Sequence, residues 1–267
     1  MAWSPDGSKL AYARLKPAQQ VLYVWNEASG QSVQLDATPV TTLCDYRGCY
    51  TYFHPFNPTW SPDSREIAYT NGSEIRIMSA DGASRRVIAL PAGTNTQSVV
   101  WTPDGRFVSY VDYATAESAT AIRGVSAVSG GSPIILVQTS NSIGEYAWSP
   151  DSKRVVITTD TDISVREGNV LIGSTAFGSA LPRWSPEGSR VAFYGTNAEP
   201  RDIYTINANG SDLRQVTYGD AGGSGLAWTS DGTMLVFARE ALFFTDVRGG
   251  AVYKFLDEVG VFSITHP

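Results

Sequence analysis

Apolar and polar positions alternate with period two through most of the chain, and no window of eleven or more residues shows the 3.6-residue rhythm of an amphipathic helix. The alternating runs are short and end at Pro, Gly, Asn, Asp or Ser, so the pattern predicts strands joined by tight turns. One unit organises them. Trp184-Ser185-Pro186-Glu187-Gly188-Ser189, followed by the strand Arg190–Tyr194, recurs with variations from Trp3, Trp60, Trp101, Trp148 and Trp228. In each copy an apolar run ends on Trp, a Ser/Thr-Pro-Asp/Glu-Gly/Ser turn reverses the chain, and an apolar strand leaves it. Pro presets φ, Asp bonds to its own backbone, and Gly tolerates positive φ, so each copy reads as a β-hairpin.

Two more strands follow each hairpin. The fifth copy shows them most clearly, with Ile203–Asn207, a turn at 208–211 and Leu213–Thr217. The second has EIRIM, ADG and RRVIAL; the sixth has ALFFTDV, RGG and AVYKFL. The copies start 36 to 57 residues apart, bracketing the roughly 40–45 residues of a four-stranded propeller blade. Such a sheet cannot bury both faces alone, whereas six arranged radially can. The predicted fold is therefore all-β: one domain, residues 1–267, forming a six-bladed β-propeller of four-stranded antiparallel blades. Trp3, Trp60, Trp101, Trp148, Trp184 and Trp228 are assigned to packing between blades. Because only Met1 and Ala2 precede Trp3, the tail Val259–Thr265, which aligns with the first strand of the sixth copy, is expected to close blade one as its innermost strand. A seventh blade would need further residues.

The WSPDG-type turns, and the stretch RDIYTINANGSDLRQVT with Asp202-Ile203-Tyr204, Asn209-Gly210 and Val216-Thr217, resemble the TolB-type β-propeller repeat. The resemblance covers essentially the whole chain. It implies the propeller fold and the company of periplasmic Tol-Pal proteins, extracytoplasmic sensor domains and the caps of prolyl-oligopeptidase-type enzymes. It leaves activity open, because one fold hosts many functions. The separate N-terminal domain of that family has no counterpart here. Ser64 and Ser152 replace the turn glycine, Ser230 replaces the turn proline, and the insert Ala37–Pro58 is foreign to the repeat.

Composition narrows the classes of partner. A formal net charge of −6 and a pI near 5.0 provide no basic stripe for nucleic acid or for an anionic membrane surface. No apolar run is long enough to span a bilayer. Met1-Ala2 leads straight into the first repeat, so an excised domain or mature form is expected, a cytosolic chain being the other reading. Cys44 and Cys49 bracket a turn in CDYRGC; a disulfide, and with it an extracytoplasmic home, is expected over free thiols. A zinc site would need ligands that His54 and His266 alone do not complete.

No catalytic signature emerges. Gly222-Gly223-Ser224-Gly225 is not a nucleophile elbow, and His54 has no identified Ser or Asp neighbour with which to act as a base. Asp160-Thr161-Asp162 reads as a solvated turn before it reads as a calcium loop. Neither cofactor nor metal is implied. The candidate binding residues are Tyr46, Arg47, Tyr50, Tyr52, His54 and Phe56 in the insert, with core or channel-mouth packing as the alternative role for its aromatics. The expected function is a monomeric, non-catalytic module presenting these loops to a protein or peptide. The alternative is the propeller cap of a peptidase, or a small lyase or lactonase.

Overall fold

The computed structural model describes residues 1–45, 48–52, 56–71, 73–94, 96, 99–112, 121–159, 161–196, 201–219, 225–239 and 241–256, with the backbone alone for 41–45, 48–52 and 256. Six four-stranded antiparallel sheets follow one another along the chain, each with its strands in sequence order. Their innermost strands are Ala2–Trp3, Thr59–Trp60, Val99–Trp101, Glu145–Trp148, Ser179–Trp184 and Gly225–Trp228. This is the six-bladed all-β propeller that the repeat predicts. The tail 259–265 lies outside the described residues. Within them, the innermost place of blade one is held by Ala2–Trp3, which pairs with Leu10 and Ala11.

The repeated turn builds itself from its own polar atoms. In blade one the Ser4 hydroxyl donates to Asp6 Oδ1 at 2.6 Å, Ser8 N donates to the same oxygen, and Lys9 N donates to Ser4 Oγ. The arrangement recurs at Ser61–Asp63, Thr102–Asp104 and Thr229–Asp231. Consecutive turns also touch. Ser64 and Ser152, where glycine is usual, adopt φ of 61° and 60°, a region unfavourable to a residue with a Cβ. Each hydroxyl accepts a backbone N–H from the preceding turn, from Asp6 at 3.0 Å and from Asp104 at 2.8 Å. In blades three and five the glycine instead lies against a proline of the turn before, Pro62 or Pro150.

The tryptophans join blade to blade. Nε1 of Trp60, Trp184 and Trp228 donates to the carbonyl just before the preceding repeat's Trp: Ala2, Ala147 and Arg183, at 2.9–3.0 Å. Trp148 reaches the same position through a relay, donating to Ser109 Oγ, which donates to Val100 O. Around these links lie five apolar clusters, one at each seam from blades one and two to blades five and six. Burying these large side chains drives the stacking of the sheets.

Candidate binding site

The insert contains a hairpin that belongs to none of the six blades. Thr41–Asp45 pairs with Gly48–Tyr52 as a separate two-stranded sheet. It emerges beside the turn joining the second and third strands of blade one, where Val40 N donates to Ala18 O at 3.1 Å. It therefore stands on the face opposite the WSPDG turns. Tyr50 and Tyr52 lie two apart on one strand and so share a face of the hairpin, opposite Leu43 and Thr41. Cys44 and Cys49 are direct cross-strand partners, a register that a disulfide can span. Tyr46, Arg47 and His54 lie outside the described residues.

Phe56 is not a surface binding residue. It is 6% exposed, in the cluster between blades one and two, with its ring edge-on to Tyr69 at 5.0 Å. Burying this ring gains more than exposing it to a partner would, and it anchors the end of the insert. Its N–H donates to Gln20 Oε1.

Beneath the insert lies a polar network that sequence reasoning missed. Asp36, on the outer strand of blade one, accepts from the Tyr69 hydroxyl and from Arg76 Nη1 at 2.7 Å, while Arg76 also pairs with Glu74 at 2.6 Å. Burial alone would raise the Asp36 pKa; the Tyr69 and Arg76 hydrogen bonds outweigh it and hold the carboxyl below its usual range. Burial and the Asp36 carboxylate push the Tyr69 phenol up. Asp36 and Arg76 stand forty positions apart in different blades, so no local pattern announces the pair. The network ties blade one's outer strand to blade two under the hairpin's root.

The opposite face presents an apolar cup of about 410 Å³, walled by Trp60, Trp101, Trp148, Trp184 and the turn prolines. The repeat itself signalled this ring, since every copy ends its inner strand on Trp-Ser/Thr and the first five continue with Pro. Trp60, Trp101, Trp184 and Trp228 are buried as the packing assignment requires, whereas Trp3 and Trp148 are half-buried. Of the Asp160–Asp162 turn, Asp160 lies outside the described residues and the Asp162 carboxylate accepts from Thr159 Oγ1. Among the described residues no three His, Cys, Asp or Glu side chains gather as metal ligands.

Comparison with known proteins agrees with this architecture. No family model matches the sequence. The chain is 25% identical over 155 residues to the Tol-Pal system protein TolB of Anaeromyxobacter dehalogenans, a match covering 54% of this chain and 35% of that protein. It superposes on TolB from Acinetobacter baumannii with a TM-score of 0.60 and 18% identity, covering 92% of this chain and 62% of the other. The chain thus has the β-propeller fold of TolB and resembles it in sequence. The same fold superposes on oligogalacturonate lyase from Vibrio parahaemolyticus with a TM-score of 0.71 and 15% identity, covering 96% and 76%. Identity that low shows fold alone, so this propeller shares its architecture with both a Tol-Pal protein and an enzyme. The matched part spans only about a third of the curated TolB sequence. No helix among the described residues is long and apolar enough to cross a membrane.

Proposed function

We propose that this TolB-type propeller is a non-catalytic, extracytoplasmic binding module that holds a protein or peptide on the face carrying the 41–52 hairpin. The observation that carries the reading is the hairpin itself: a two-stranded sheet outside all six blades, rooted in the core through Phe56 and over the Asp36–Tyr69–Arg76 network. A blade needs no such element for closure, and loops displayed on a rigid scaffold are where binding residues concentrate. Tyr46, Arg47 and Tyr50 are the proposed anchors, with Tyr52 and His54 beside them, since Tyr and Arg supply much of the affinity at interfaces. The cross-strand register of Cys44 and Cys49 supports a disulfide stiffening the tip, which lowers the entropic cost of binding. Intact mass before and after reduction, differing by about two hydrogens, tests that bond.

The functional test selects peptides on the immobilised protein and compares their affinity for wild type and for the triple variant Tyr46→Ala, Arg47→Ala, Tyr50→Ala. Affinity should fall by at least about 2 kcal/mol, about 30-fold, with the melting temperature unchanged. Intact binding with a lowered melting temperature would place these residues in the core instead. Turnover in a panel of lyase and hydrolase substrates would move the reading to an enzyme.

A further inference from the structure

The six innermost strands carry just two charged residues, Glu145 in blade four and Arg183 in blade five. The strand bearing Arg183 also carries an irregularity. Its pairing with the second strand of blade five jumps between Ala180 and Arg183, leaving Leu181 and Pro182 as a bulge. Leu181 has φ of 53°, a strained conformation for a residue with a Cβ. Its N–H, released from the ladder, donates to Glu145 Oε2 at 2.7 Å across the seam. The innermost strands of blades three, four and six pair with no such shift. A bulge of this kind re-aims the side chains that follow it.

The side chain that follows is Arg183. Its backbone is pinned by Trp228 Nε1, which donates to Arg183 O at 3.0 Å. Among the described residues the guanidinium makes one hydrogen bond, Nη1 to Pro182 O at 2.9 Å, and no ion pair joins it to Glu145, whose Oε2 accepts from the Leu181 N–H. Burial pushes the Arg183 pKa down, with Glu145 opposing that shift. Arg183 is half-buried and its remaining donors are not among the buried unpartnered atoms, so they face solvent where an anion can reach them. Glu145 is exposed, so water reaches this level of the wall, and the Trp-Pro cup is formed by the next residues of the same strands.

We propose that the inner wall at the seam of blades four and five is a binding site for a monocarboxylate, with Arg183 as its anchor. The planar fork of arginine matches a carboxylate in two parallel hydrogen bonds. The neighbouring Glu145 charge selects a single negative charge over a doubly charged oxyanion such as phosphate, which it would repel. The free lone pairs of Glu145 would receive a hydroxyl or amine on the same ligand. This site is separate from the hairpin and stands without it.

The test measures acetate and phosphate binding to the full chain by calorimetry at fixed ionic strength, with wild type, Arg183→Gln, Arg183→Lys and Glu145→Gln. Wild type should bind acetate saturably, one per chain, and more tightly than phosphate. Arg183→Gln should weaken acetate at least 10-fold. Arg183→Lys, which keeps the charge but loses the fork, should fall between. Glu145→Gln keeps an acceptor for Leu181 N–H and should narrow the preference over phosphate. The triple hairpin variant should bind acetate as wild type does. Wild type without saturable acetate binding would overturn the proposal, as would a folded Arg183→Gln that binds like wild type. If Arg183→Gln does not fold, Arg183→Lys binding as tightly as wild type would do the same.

Discussion

Among the described residues an apolar cluster joins the blades at five seams of the propeller and none spans the sixth, although the same repeat supplies both sides. Between blades one and two, Trp60 is 6% exposed, its indole N–H donates to Ala2 O, and Ile67, Tyr69 and Leu22 complete a buried cluster. Blade one turns a similar aromatic surface toward blade six: Trp3, Leu10, Tyr12, Tyr23 and Trp25, with Tyr12 stacked on Tyr23 at 5.4 Å and Trp3 edge-on to Trp25 at 6.1 Å. All five remain half-buried. Across from them, Tyr253 and Phe255 on the outer strand of blade six are 61% and 66% exposed. Among the described residues no apolar cluster joins these blades. The same repeat chemistry thus accompanies a shared apolar cluster at five seams and, among the described residues, none at the sixth. The repeat specifies the plates and not their closure.

The largest effect should come from the segment expected to close blade one. Removing residues 257–267 should lower the melting temperature by about 10 °C, the loss of several kcal/mol at about 2–4 °C per kcal/mol for a chain of this size. An unchanged melt would show that something else closes blade one. Next comes a matched pair. Trp60→Ala should cost about 3–5 kcal/mol, the range for deleting a buried large aromatic, and Trp3→Ala less than half of that in denaturant unfolding. Equal losses would mean that the sixth seam is as well packed as the others.

Acid should loosen the turns before it melts the clusters. The Ser4 hydroxyl and Ser8 N–H hold Asp6 at about 2, and similar bonds depress Asp63, Asp231 and, deeper in, Asp36. A carboxyl with a depressed folded pKa adds stability above its unfolded value near 3.9, and that stability is lost as pH falls through the folded value. Stability should therefore hold from about pH 7 to 5 and decline between about 4 and 2. Asp36→Asn should flatten part of that decline in an acid titration followed by tryptophan fluorescence; an unaltered profile would remove Asp36 from the account. The smallest effect belongs to the turn serines. Ser64→Ala keeps the strained φ and loses the hydroxyl that binds Asp6 N–H, costing about 1 kcal/mol. Ser64→Gly relieves the strain while losing the same bond and should be nearly neutral. A clear destabilisation by Gly would show that the cross-turn bond outweighs the strain.

What the sequence determined by itself was everything that repeats. Period-two alternation, the Trp-Ser/Thr-Pro-Asp turn and the copy spacing are local signals, each arising from a few adjacent residues, and together they fix strand type, turn geometry, blade number and the order of strands within a blade. The roles of single, non-repeating residues needed the tertiary structure. Phe56 looked like one more aromatic in an exposed insert until the chain carried it back onto Tyr69. Asp36 and Arg76 became partners only because consecutive blades pack face to face, and although Pro182 marks a break in the ladder, only the fold shows that Glu145 in the preceding blade accepts the Leu181 N–H. Side-chain burial and interblade hydrogen bonds depend on which segments meet in space, and residues forty positions apart carry no short-range pattern that says they will.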